Sequence, residues 1–137
     1  MNINDRQLKN AIIINIVVIL YWMSTLIYRH TSKRELDKLK NPVIGPFCNG
    51  WCISHILYYI VIGYLSPEYW FHMTIIGILF EFFELLLSRL SLFGLNRYIN
   101  SYLISDPIRN TIGLIIGLIL FKLFPNTIDL YKLITFH

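Results

Sequence analysis

The chain has 137 residues, 55% of them hydrophobic and only 15% charged, with a formal net charge of +4. A water-soluble domain of this length cannot hide so much apolar surface, so the composition excludes an ordinary soluble fold and points to a small integral membrane protein. The positive balance does not indicate a nucleic-acid binder, because the Lys and Arg residues sit beside apolar runs and lack the interleaved aromatics that read bases.

A membrane span needs about 17–25 predominantly apolar residues, and four segments approach or reach that length: Ala11 to Tyr28, Phe47 to Leu65, Tyr69 to Leu87 and Ile108 to Phe124. They predict an all-α integral membrane protein, a compact bundle of four transmembrane helices. There is no internal repeat, low-complexity tract or long linker, so residues 1–137 read as a single domain. The first apolar run continues through Tyr21 and Trp22 to Tyr28 without a small-residue cleavage site, which predicts a retained helix instead of a signal peptide.

After the first helix, "RHTSKRELDKLKNP" carries Arg29, Lys33, Arg34, Lys38 and Lys40, and the loop after the third helix adds Arg89 and Arg97. The turn "SPE" between helices 2 and 3 has no basic residue, while Arg6 and Lys9 near the N-terminus and Lys132 in the tail are few. The positive-inside bias therefore predicts a multi-pass protein with its first and third loops in the cytoplasm and both termini on the opposite side. In a eukaryotic or viral setting the membrane would be an endomembrane.

Cys48 and Cys52 lie four apart on the predicted second helix, a spacing that suits neither a disulfide framework nor a CxxC redox motif. With His55 they share a helix face, but Cys-x3-Cys-x2-His lacks a fourth ligand and is no zinc signature. Tyr58, Tyr59, Tyr64, Tyr69, Trp70 and Phe71 gather around the second turn, where an interfacial aromatic belt is expected.

The polar residues inside these runs carry the functional signal. The stretch "GILFEFFELLLS" puts Glu81 and Glu84 three apart on the third helix, and carboxylates in a bilayer are costly unless a cation or shared proton relieves them. Asp106 and Asn110 open the fourth helix from the same loop, and His55 lies about 12 Å into the second by a rise of 1.5 Å per residue. All five are predicted to meet in one layer on the cytoplasmic side. The bland readings are a Glu pair neutralised by Arg89 or snorkelling, an Asp106 that caps a helix beginning at Pro107, and a His55 hydrogen-bonded inside the bundle. Gly113 and Gly117 form a small-xxx-small face for close helix packing.

The order of these residues, a His in helix 2, "EFFE" ending helix 3 and "DPIRNTIGLIIG" opening helix 4, resembles the VanZ family and the base-exchange phosphatidylserine synthases, grouped in the Lipocone superfamily of lipid-headgroup enzymes. Asp106, Asn110, Gly113 and Gly117 reproduce the VanZ-like Asp-x3-Asn-x2-Gly-x3-Gly spacing, and Glu81 with Glu84 matches the synthases' Glu-x2-Glu. The resemblance runs from Asn49 to Gly117. The chain departs from VanZ proteins at Glu84, where they usually have Gln, and from the synthases at Phe80, where they usually have Trp.

The resemblance implies an enzyme that acts at the phosphate of a phospholipid, exchanging or cleaving the headgroup. Its implied catalytic residues are His55, as base or nucleophile, with Glu81, Glu84, Asp106 and Asn110. Glu81, Glu84 and Asp106 would hold a divalent metal, Ca²⁺ in preference to Mg²⁺. The implied partners are a phospholipid, a small alcohol such as serine and the membrane itself, and the sequence leaves open whether a second copy joins the chain in a homo-oligomer. The rival readings are a VanZ-like lipid binder without turnover, and a small oligomeric channel or assembly subunit with its carboxylates on a symmetry axis.

Overall fold

The computed structural model describes residues 3–32, 42–44, 48–90 and 105–135. The basic residues Lys33, Arg34, Lys38, Lys40 and Arg97, which set the expected sidedness, lie outside them. In chain order the elements are α1 (Ile3–Ser32), β1 (Pro42–Ile44), β2 (Cys48–Asn49), α2 (Gly50–Leu65), a single 3₁₀ turn (Pro67–Tyr69), α3 (Trp70–Leu90), α4 (Ser105–Leu123) and α5 (Leu130–Thr135).

The protein is mostly helical, and two segments are long and apolar enough to cross a membrane, Ile3–Tyr28 and Pro67–Leu87. Only 17% and 11% of their most apolar windows are buried inside the molecule, the reverse of a core helix in a soluble protein. Leu20, Leu79 and Phe82 all face outward. α2 is apolar but has 16 residues, about 24 Å of helix, short of a hydrocarbon core about 30 Å thick. α4 has 19 residues and includes Asp106, Arg109 and Lys122.

Helices 1, 3 and 4 occupy the expected segments, α1 longer at both ends, α3 at its C-terminal end and α4 at its N-terminal end. α2 starts three residues later than its apolar run, because Asn49 takes an extended conformation and its side-chain oxygen accepts the Cys52 amide at 3.0 Å. This moves Cys48 off the helix and onto a short antiparallel pairing of β1 with β2, Ile44 opposite Cys48. The expectation that the two cysteines form no disulfide is overturned. The strand-to-helix bend brings their Cα atoms to 5.4 Å, and Cys48 and Cys52 are bonded. That bond also removes both sulfurs from any metal set with His55. The later start leaves His55 about 8 Å into α2, not 12 Å.

α2 and α4 form the closest helix pair, and glycine is the reason. A Cβ on Gly117 would strike the Ile60 carbonyl oxygen and come within 3.0 Å of Gly63 Cα, and one on Gly113 would strike the Ile56 carbonyl. The small-xxx-small face of α4 therefore lies directly against the backbone of α2. Around this pair a core of Ala11, Ile14, Tyr59, Ile62, Leu65, Met73 and Leu114 joins α1 and α3.

At the end of the molecule that carries the α2–α3 turn, buried polar side chains fasten α1 to the turn and to the C-terminal segment. Asn10 donates to the carbonyls of Ile128 (2.9 Å) and Leu65 (3.4 Å) and accepts the Leu130 amide (2.9 Å). The Ser66 hydroxyl donates to the Gln7 carbonyl at 2.8 Å, the Gln7 side chain accepts the Glu68 amide at 3.1 Å, and Asn126 donates to the Tyr64 carbonyl at 2.6 Å.

Candidate functional site

At the other end of the helical core, three chemistry-bearing side chains meet. His55 from α2, Glu81 from α3 and Asp106 from α4 each present one potential ligand atom, and these atoms lie within 4.8 Å of one another. Glu81 is 2% exposed and Asp106 4% exposed. Each arrives for a local reason. Asn49 fixes the start of α2 and with it the position of His55, the uninterrupted apolar run around Glu81 keeps α3 helical, and the glycine face draws the first turns of α4 against α2.

Asn110 completes the arrangement from α4, its side-chain oxygen 2.9 Å from His55 Nδ1. An amide oxygen only accepts, so this contact is a hydrogen bond in a form of His55 that carries a proton on Nδ1. Asp106 is ion-paired to Arg109, one turn along the same helix. Among the described residues its carboxylate is thus taken by a side chain and not by backbone amides, which is not the arrangement of a simple helix cap. Glu81 Oε2 is buried and has no hydrogen-bond partner among the described residues.

Glu84 is placed differently. It accepts a hydrogen bond of 2.6 Å from Trp22 Nε1 of α1, and the close group contains His55, Glu81 and Asp106 without it. A step of three residues turns a helix about 60° short of a full turn, which aims Glu84 at α1 while Glu81 faces α2 and α4. Arg89 is exposed and makes no ion pair with either glutamate among the described residues.

Sequence reasoning missed three contributors. Arg109 stood in plain view at i+3 from Asp106, a spacing that favours pairing. Trp22 reaches Glu84 across 62 positions of sequence and has no local signal. Gly77, one turn before Glu81, is required by Tyr59, because a Cβ there would strike the Tyr59 hydroxyl.

A divalent cation fits the donors present. Glu81 and Asp106 offer hard carboxylate oxygens, and the partnerless Glu81 Oε2 is an atom whose burial such an ion would compensate. Two carboxylates do not fill the shell of Ca²⁺ or Mg²⁺, so water or substrate oxygens would supply the rest. His55 offers a ring nitrogen to the same group. Comparison with family models, curated proteins and solved structures finds no match to this chain.

Proposed function

We propose that the chain is an integral membrane enzyme that acts on phospholipid headgroups by phosphatidyl transfer, exchanging one alcohol for another in the manner of the base-exchange synthases it resembles. In this reading α1, α2, α3 and α4 all cross the bilayer, with the short α2 and the charged start of α4 accommodated by local thinning around the site. The observation that carries the proposal is the convergence of a half-buried His, two buried carboxylates and an Asn inside one protomer, one of the carboxylate oxygens being without a partner among the described residues. A channel would turn its carboxylates toward a symmetry axis instead.

His55 Nε2 takes the proton of an incoming hydroxyl, such as that of serine, as its oxygen forms a bond to phosphorus. The bond from phosphorus to the old headgroup oxygen breaks, and the departing alkoxide takes the proton back from His55. Used as a nucleophile, His55 would carry the phosphatidyl group between two such displacements. A divalent cation held by Glu81 and Asp106, with Ca²⁺ ahead of Mg²⁺, would supply charge neutralisation at the phosphate. In this reading Asn110 accepts from Nδ1 and orients the imidazole so that Nε2 handles the proton.

The test is incubation of purified protein with mixed phospholipids, free serine, ethanolamine and choline, with and without Ca²⁺ or Mg²⁺, followed by lipid mass spectrometry. New headgroups that require the cation and vanish in His55→Ala are expected. Bound but unaltered lipid would leave the non-catalytic binder as the reading.

For sidedness, the basic first and third loops favour a cytoplasmic site. The Cys48–Cys52 bond lies at the same end and persists where thiol reductants are scarce, which is the opposing cue. Single cysteines at Ser32 and Asn126, in a background lacking Cys48 and Cys52, decide between them. Labelling from outside at Asn126 alone is the expected result, and labelling at Ser32 alone places the site on the oxidising face.

A further inference from the structure

Arg109 has so far figured only as the partner of Asp106, and its surroundings ask for more. Among the described residues it is the one cation in contact with the cluster, and its side chain remains about a quarter exposed where that of Asp106 is almost wholly buried. A guanidinium has five N–H donors, and Asp106 engages Nη1. No other acceptor for Arg109 is found among the described residues.

Charge balance gives this position a task. With both carboxylates ionised, as cation binding requires, Glu81 and Asp106 against Arg109 carry one net negative charge, and a divalent cation held between them leaves these three groups one positive charge. A phosphodiester carries one negative charge and two free oxygens, so it offsets the positive charge that these three groups and the cation carry together. The fork of an arginine matches two oxygens of a phosphoryl group in a way that an ammonium does not.

We propose that Arg109 is a substrate-binding residue that holds a phosphoryl group beside the His55–Glu81–Asp106 cluster, with Asp106 fixing its guanidinium in place. This rests on the reading of the cluster as a phospholipid site and names the residue that recognises the phosphate. A residue serving only to neutralise Asp106 would need charge alone, so lysine would replace it without loss; a phosphoryl fork needs the guanidinium.

The test measures binding as well as turnover. Purified protein in detergent, with Ca²⁺ present, is titrated with a short-chain fluorescent phosphatidylcholine, with diacylglycerol of the same chains, and with inorganic phosphate, for wild type, Arg109→Lys and Arg109→Gln, alongside thermal unfolding. Wild type should prefer phosphatidylcholine to diacylglycerol. Arg109→Lys should keep the unfolding temperature but bind phosphatidylcholine about tenfold more weakly, with diacylglycerol unchanged. Displacement of phosphatidylcholine by inorganic phosphate would assign the same residue to free as well as lipid-borne phosphate. Equal phosphatidylcholine binding by wild type and Arg109→Lys overturns the proposal, as does a wild type that binds both lipids alike, which needs no variant to fold. Headgroup turnover is read separately, so weakened phosphate binding with no turnover would retain Arg109 and remove only the catalytic reading.

Discussion

The two ends of the helical core both bury polar side chains, and they satisfy them differently. At the end carrying the α2–α3 turn, Asn10 is completely buried and makes three hydrogen bonds to main-chain groups, while Gln7 and Ser66 are tied to each other's segments. Arg6 Nε and Asp129 Oδ2 lack partners there, but both residues are only half-buried and each has another side-chain atom bonded. At the opposite end Glu81 is as buried as Gln7, yet one carboxylate oxygen meets no donor among the described residues and the nearest groups include a second carboxylate.

Amides placed against open carbonyls and amides lower the free energy of the fold, since each buried main-chain group gains the partner it would otherwise lack. A buried carboxylate set beside another raises it, and such an arrangement persists where it serves something other than folding. The turn end is therefore a latch, and the His55 end is the place where stability is given up.

Three substitutions sharpen this contrast, in decreasing order of effect. Asn10→Ala removes three main-chain partnerships inside the latch and should cost about 3 kcal/mol, read as early thermal unfolding in detergent, with α1 and the C-terminal segment becoming protease-sensitive together. Gly117→Ala forces a methyl group against the Ile60 carbonyl, where only backbone stands in the way. It should cost about 2 kcal/mol and lower headgroup turnover as α4 moves off α2. Trp22→Phe keeps the aromatic packing on Phe80 but removes the donor to Glu84. A loss of about 1 kcal/mol with turnover nearly intact is expected if Glu84 serves the α1–α3 contact.

Much of this layout was legible because it follows from local pattern. Apolar runs located α1, α3 and α4, and polar residues interrupting those runs singled out His55, Glu81, Asp106 and Asn110, which do come together in space. The start of α2 was misread because Phe47 and Cys48 extend the apolar run past the Asn49 cap, and that error hid the disulfide. The β1–β2 pair and α5 are too short for periodicity to register. The latch and the Trp22–Glu84 bond join residues some 60 to 120 positions apart, and no spacing rule reaches that far. Glu84 looked equivalent to Glu81 in sequence, but the neighbour each helix face meets is a property of the bundle and not of the segment.

The most direct measurement compares thermal unfolding of wild type, Glu81→Gln and Asn10→Ala in detergent, each with and without Ca²⁺ or Mg²⁺. The account predicts that the cation raises the unfolding temperature of wild type and of Asn10→Ala, because a ligand bound only by the native state stabilises it. Glu81→Gln should unfold no earlier than wild type without cation, and adding the cation should leave it unchanged, since the substitution removes a buried charge and a ligand but little volume. A Glu81→Gln protein that unfolds as early as Asn10→Ala, and a wild type indifferent to the cation, would show that Glu81 belongs to the structure and contradict the account.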